Sequence, residues 1–507
     1  MRLFRDKARL SAFSLILSLY TLLAFHLPFF SLVVKCTEGG WSGFLITGCL
    51  AALMLALNFF VYYLLLFALR FIGKCIIAFT LIGDAIMLYF VNTYDVLVTD
   101  KMMGNVLHTQ YSEASGFFSA GFVLYVLFLG VLPAIYLFWR KVEYGSWKRF
   151  LAYIGGALGI VLAIAFGNMK NWPWIDRNST ELGSLLMPWS YIVNTFRYHN
   201  AEKRRNVKEI PLPDTTSVSS SRDVCVLIIG ESARRDHFSL YGYERETNPY
   251  TVTDTVTVLP AISSATYTMA GVKAILEPVD TRELHEILPN YLHRMGADVT
   301  WRTSNWGEPP VHIEKYWKVK DLKERFPEAD NRYDGILLEG LREDILGSDN
   351  DKVMIILHTN TNHGPSYNTK YPPQFEVFTP VCNTVEMSKT SREELFNAYD
   401  NSVIYTDWLI HSVITILREI PDRRSCMIYV SDHGESLGEN NLYMHGVPMS
   451  MAPKEQIEIP FIVWTSDKSL SIKPLEEVGQ HAVFHSALSF LGIDSPALNE
   501  ELTIFTR

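Results

Sequence analysis

A chain of 507 residues is too long for one ordinary domain, and its 48% apolar content is spread so unevenly that two parts with different solvents are implied. The formal net charge of −9 argues against nucleic acid as a partner, which would call for a basic patch. The mean hydropathy of +0.10 belongs to the first third, because charged residues, Asn, Pro and Tyr return to soluble-domain frequency after about residue 170.

Five apolar segments approach the roughly 20 residues that a bilayer-spanning helix needs: about 10–34, 44–69, 71–92, 119–139 and 150–167. Lys and Arg accumulate on the cytoplasmic side of a membrane. Arg2, Arg5, Lys7 and Arg9 therefore put the N-terminus inside; Arg70 and Lys74 do the same for the turn after the second segment, and Arg140, Lys141, Lys148 and Arg149 for the loop after the fourth. Five crossings deliver residue 170 onward to the outside. A cleaved leader does not fit, since the first segment is long and no small-residue cleavage pattern follows it. The division expected is a transmembrane domain over 1–170, an interfacial connector and linker over 171–222, and an exported domain over 223–507.

The polar stretch from Asn92 to Phe118 lies between segments three and four and faces the same side as the exported domain, so a loop near 93–118 is expected to share its substrate. Trp172-Pro173-Trp174 and the run to His199 carry the aromatic anchors of an interfacial segment. Pro211 to Arg222, rich in Pro, Ser, Thr and Asp, reads as a linker. From Val224, short apolar strands alternate with amphipathic helices, the pattern of a mostly parallel α/β sheet covered by helices on both faces. Strands are expected at 224–229, 258–262, 297–301, 353–357, 426–430 and 460–464, and helices at 268–277, 282–295, 336–346 and 392–418. Cys225 and Cys426 fall inside strand runs, where a free thiol acts as a small hydrophobe, and no disulfide framework is evident.

Each polar cluster follows one of these strands, where open α/β sheets place their ligands. Ser431-Asp432-His433-Gly434-Glu435, with Glu439 and His445, mixes carboxylate and imidazole in the way that suits Zn²⁺ or Mn²⁺. Glu231 follows the strand from Val224 and is placed to ligate the same cation; a helix N-terminal Glu is the alternative. Asp236 and His237 are weaker candidates. Ser263 to Gly271 leads from a strand into an apolar helix, and its hydroxyls are either caps or a nucleophile beside a metal and a helix N-terminus. Spacing does not separate Thr266 from Thr268. His358 and His363-Gly364-Pro365 close the set after the strand from Val353.

Together these clusters closely resemble the membrane-bound lipid A phosphoethanolamine transferases of the alkaline phosphatase and sulfatase superfamily. The resemblance is carried by Gly230-Glu231-Ser232-Ala233-Arg234, the run His237 to Pro249, Phe378 to Cys382, Tyr399-Asp400-Asn401, the run Ser431 to Glu439, His445-Gly446 and Ala452 to Gln456. It covers nearly the whole chain and implies five N-terminal spans with an alkaline-phosphatase-like periplasmic domain, in a multi-pass protein of the bacterial inner membrane. By position it implies zinc ligands Glu231, Thr268, Asp432 and His433, with Mn²⁺ as a substitute, and makes Thr268 the nucleophile that becomes phosphoethanolaminylated. His363 and His445 would bind the donor phosphate or a second zinc and serve as the catalytic acid. Asn105, Thr109 and Glu113 would bind phosphoethanolamine, and their spacing of four puts them on one helical face.

The implied reaction takes phosphatidylethanolamine as donor and lipid A or a related glycan as acceptor, in a membrane-lipid setting, with the protein as a monomer. The alternatives are a phosphoglycerol transferase resembling lipoteichoic acid synthase, and a membrane-tethered scaffold without catalysis. This sequence also departs from the family. The Cys residues that flank the nucleophile in many relatives are missing, as are those after the Trp-Arg strand, where Trp301 to Pro310 stands instead. Asn362 replaces the Ser that usually precedes His363.

Overall fold

The first apolar segment folds as two helices, α1 (Leu10–Phe25) and α2 (Leu27–Cys36), bent by 63° at His26. Pro28 accounts for the break: it has no N–H to give the preceding turn and is accepted only in a helix's first turn. The His26 ring fills the gap, its nitrogens 3.0 Å from the Thr21 carbonyl and 2.9 Å from that of Met187. The computed structural model describes residues 7–37, 40–94, 96–108, 117–168, 174–175, 178–205, 209–281, 283–384 and 387–506. They fall into two units, Met1–Ala201 and Glu202–Arg507.

In the first unit follow α3 (Gly40–Leu69), α4 (Phe71–Tyr94), α5 (Asp100–His108), α6 (Ala120–Trp139) and α7 (Trp147–Gly167). Among the described residues, four single helices are long and apolar enough to cross a membrane, and the bent pair makes five if it is one span. Leu23, Phe44, Phe79 and Phe166 face outward, as expected where lipid tails are the solvent. The polar groups turn inward instead: Ser14, Ser18, Thr21, Asn58 and Asp84 are buried. Asp84 accepts a hydrogen bond from Tyr191 of α8 (Trp189–Arg205) at 3.1 Å.

The second unit is built on an eight-stranded sheet. In chain order its strands are β1 (Asp223–Gly230), β2 (Thr257–Ile262), β3 (Asp298–Thr303), β4 (Lys315–Lys318), β5 (Lys352–His358), β6 (Arg424–Ser431), β7 (Glu458–Thr465) and β8 (Val478–Gly479). Their spatial order is β8-β2-β7-β6-β1-β5-β3-β4. Only β7 runs against its neighbours β2 and β6; the other pairs are parallel. Strands β1 and β5 are buried along their whole length, and their near-continuous Val, Ile, Leu and Met content is what covering both faces demands. Cys225 and Cys426 sit opposite each other in β1 and β6 as free buried thiols.

The helix α9 (Thr268–Leu276) and the long α11 (Arg392–Arg418) form at the expected places. Two others are shorter than their periodicity predicts. The helix expected over 282–295 is confined to α10 (Leu288–Arg294), because Pro289 fits only its first turn. The one expected over 336–346 is split at Gly340, whose φ of 61° interrupts the ladder between a short 3₁₀ turn and Leu341–Leu346. Residues of the stretch Pro211 to Arg222 run along this unit: Ser217–Val218 pairs with Ile493–Asp494, and the Leu212 N–H donates to Glu286 at 3.0 Å.

Candidate active site

Strands β1 and β6 lie side by side at the centre of the sheet with Gly230 opposite Ser431, so Glu231 and Asp432-His433 leave from the same rim. All three are fully buried. His433 Nε2 is 3.3 Å from Glu231 Oε1 and 3.4 Å from Asp432 Oδ2. Thr268, the first residue of α9, brings Oγ1 to 3.3 and 3.2 Å from the Glu231 oxygens and 3.5 Å from His433 Nε2. Its helix has Tyr267 at the N-cap and no side-chain cap; the Thr268 hydroxyl faces the carboxylate. Thr266 is committed elsewhere, donating to the Val447 carbonyl at 2.6 Å.

The close approach of α9 has two causes. Gly271 has no side chain, and a Cβ there would stand 2.2 Å from the Asp432 carbonyl oxygen. Gln480, buried just after β8, donates from Nε2 to the carbonyls of Ser431 and Asp432 at 2.9 and 2.7 Å, while its Oε1 accepts from Ser264 N–H at 2.9 Å. One side-chain amide thus ties the loop leading to Thr268 to the loop carrying Asp432.

A small hairpin, Ser436–Leu437 against Tyr443–Met444, returns the chain so that His445 reaches the rim. Gly438, at φ 106°, makes that turn. The ligand atoms of Glu231, His433 and His445 lie within 4.8 Å of one another, so His445 stands among them as well as beside His363, at 5.5 Å between ring centroids. Glu435 is buried between Tyr367 and His445: it accepts from the tyrosine hydroxyl at 2.8 Å and lies 2.8 Å from His445 Nδ1.

Burial alone would lift the Glu231 carboxyl, but the His433 hydrogen bond and the charges of His433, His363 and His445 hold it well below the usual range. Asp432 goes the other way, raised by burial and by the charge of Glu231. His433 is raised because Glu231 outweighs its burial. Burial pushes His363 down to about 3. Asp432 Oδ2 is buried without a hydrogen-bond partner. Two buried carboxylates, one of them with an orphaned oxygen, beside an imidazole and a hydroxyl form a set that a divalent cation would satisfy and that protons satisfy poorly.

Asn105 lies on α5 in the first unit, and Thr109 and Glu113 lie outside the described residues. His237 is buried 2.6 Å from Asp400, and Asp236 pairs with Arg234. His358 is buried 3.6 Å from Glu308. Asn362 points away from the rim into α11, bonding Ser402 at 2.7 Å and Thr406 at 2.8 Å. Sequence reasoning missed Asn305, which donates to Glu231 Oε2 at 2.7 Å and to the Thr359 carbonyl at 2.9 Å. Its only signal was its position in the polar loop that follows β3. Gly307 of that loop lies over Thr268: a Cβ there would be 3.3 Å from Thr268 Cγ2.

Comparison with known proteins follows the same outline. A family model described as Sulfatase matches residues 223–493, and one described as Phosphoethanolamine transferase EptA/EptB matches 53–202. The phosphoethanolamine transferase EptA of Helicobacter pylori is 36% identical over 94% of this chain and 92% of its own. The chain belongs to the phosphoethanolamine transferase family. The phosphatidylethanolamine transferase Mcr-1 of Escherichia coli is 32% identical, over 81% of each chain. The integral membrane lipooligosaccharide phosphoethanolamine transferase A of Neisseria meningitidis matches in structure with a TM-score of 0.87 at 28% identity, over 98% of this chain and 99% of that one. This family member is accordingly an inner-membrane protein with its sulfatase-like domain in the periplasm.

Proposed function

We propose that the chain transfers phosphoethanolamine from phosphatidylethanolamine to lipid A or a related glycan, through zinc held by Glu231, Thr268, Asp432 and His433 and an ester on Thr268. The observation that carries this reading is the aim of Thr268 Oγ1 at Glu231 and His433 inside a buried donor set. Bound zinc supplies Lewis-acid stabilisation of negative charge at phosphorus and eases deprotonation of the threonine hydroxyl.

The chain's own groups do the rest. Thr268 Oγ1, its proton released to water as a cation binds, attacks phosphorus, the bond to the diacylglycerol oxygen breaks, and His445 gives that oxygen a proton. His445 suits the task better than His363, whose low pKa leaves it neutral and without a proton to spare at periplasmic pH. Glu435 fixes His445 Nδ1 and leaves Nε2 to carry the proton. An acceptor phosphate or hydroxyl then attacks the phosphothreonine ester, and the Thr268 hydroxyl is restored. Asn105, Thr109 and Glu113 would hold the phosphoethanolamine group in this scheme.

The test is incubation of the full-length protein with phosphatidylethanolamine, followed by peptide mass spectrometry and zinc analysis. Phosphoethanolamine on Thr268 in a zinc-loaded protein is expected. Phosphoglycerol on Thr268 when phosphatidylglycerol is the donor would move the assignment to the lipoteichoic-acid-synthase type, and no metal with no adduct would leave a scaffold.

A further inference from the structure

Ser232 stands between the two acidic residues of the site and touches both. Its hydroxyl donates to Glu231 Oε1 at 2.8 Å, and its backbone N–H donates to Asp432 Oδ1 at 3.0 Å. Its Oγ is also 3.4 Å from His445 Nδ1. A side chain and an amide of one residue converge on one rim because the backbone turns left-handed directly after β1, with φ at 52°. Few residues other than glycine adopt that conformation, and they persist where the surroundings over-determine them. Tyr399 is the clamp: its hydroxyl donates to the Ser232 carbonyl at 2.7 Å and accepts from Arg234 N–H at 2.9 Å.

Asn305 grips the other Glu231 oxygen from the opposite side, itself held by the Thr359 carbonyl. Both residues are buried. Of the four carboxylate oxygens contributed by Glu231 and Asp432, three therefore receive a donor from Ser232 or Asn305, and Asp432 Oδ2 receives none. The orphaned oxygen lies 3.4 Å from His433 Nε2, facing into the donor set.

We infer that Ser232 and Asn305 are positioning residues that fix Glu231 and Asp432 for a divalent cation, and that they set the affinity of the site rather than its chemistry. The inference rests on the metal-dependent reading above. Hydrogen-bonded partners of metal-ligating carboxylates are worth about ten- to a hundredfold in metal affinity, and Ser232 serves two such carboxylates at once.

The experiment uses the full-length protein in detergent, with zinc affinity read by chelator competition and folding read by thermal unfolding of the metal-free protein. Ser232→Ala and Asn305→Ala are each expected to bind zinc about ten- to a hundredfold more weakly, with the Thr268 adduct regained at excess zinc. Ser232→Gly removes the hydroxyl while relieving the left-handed backbone, so it carries the test if the alanine variant does not fold. Wild-type protein that takes up no zinc would sink the metal-dependent reading itself. Zinc-binding wild type alongside variants of unchanged affinity would overturn the positioning role and leave that reading standing.

Discussion

Thr268 and Gly271 divide one task on a single turn of α9, the first reaching Glu231 and the second letting the helix come near enough. Thr268→Ala is expected to abolish the adduct while zinc stays at least partly bound, as mass spectrometry with metal analysis would show; retained turnover would move the nucleophile elsewhere. Gly271→Ala must push the helix off the Asp432 carbonyl, a backbone contact that cannot rotate away. Overpacking of this kind costs about 1–3 kcal/mol, visible as a lowered unfolding temperature together with lost transfer. Glu277, just past the end of α9, gives a pH signature. Burial lifts its carboxyl from 4.5 to about 7 against the pull of Lys273. The folded state then keeps a proton that the unfolded state has released, so this stability is full below the unfolded pKa and disappears as pH rises through about 7. On the order of 3 kcal/mol is involved. Glu277→Gln should flatten the decline between pH 5 and pH 8, measured by thermal unfolding; parallel curves for the two proteins would refute the assignment.

At the scale of elements, the loop after β6 is held by groups outside the donor set. Arg234, with a side chain only 3% exposed, joins Asp236 to Glu439 of that loop at 2.7 and 2.8 Å. Removing one partner of a fully buried pair costs about 3–5 kcal/mol; here Asp236 is 45% exposed and solvent offsets part of that loss. Arg234→Met is therefore expected to lower the unfolding temperature and the yield of folded protein more than any exposed substitution nearby. Most of these elements were legible in the sequence because their causes are local. The six expected strands are the interior of the sheet, where apolar runs are densest, and α11 starts with the capping box of Ser391 and Glu394. What was not legible depends on partners. Lys315–Lys318 and Val478–Gly479 are strands only because β3 and β2 offer an edge, and Gly340 stops a helix at a place where periodicity alone would continue it.

For the whole molecule, the candidate site was half legible. Carboxylates and histidines at strand ends announce themselves, so Glu231, Asp432, His433 and His445 could be named from the sequence. Ser232, Asn305 and Gln480 could not, because a hydroxyl or amide in a loop looks the same whether it faces water or a buried carboxylate. The altered loops show the same limit: Asn362 reads as a change near the cleft, yet its amide is absorbed by α11. If the buried acidic set holds a cation, a chelator should destabilise the folded protein as a ligand's removal does, by about 3 kcal/mol when zinc had been present at a hundred times its dissociation constant. A chelator-insensitive unfolding temperature would contradict this.

The central pairing of β1 with β6 also has a consequence in time. Glu231 and Asp432 meet only because strands two hundred positions apart in the chain become neighbours, and Gln480, later still, locks the second of them. Until β6 has crossed, a polypeptide emerging on the far side of the membrane therefore carries Glu231 and Thr268 without Asp432 and His433. If the donor set holds a cation, its capture should mark the end of export and folding, and a chain stalled before β6 is expected to leave the periplasmic metal pool untouched.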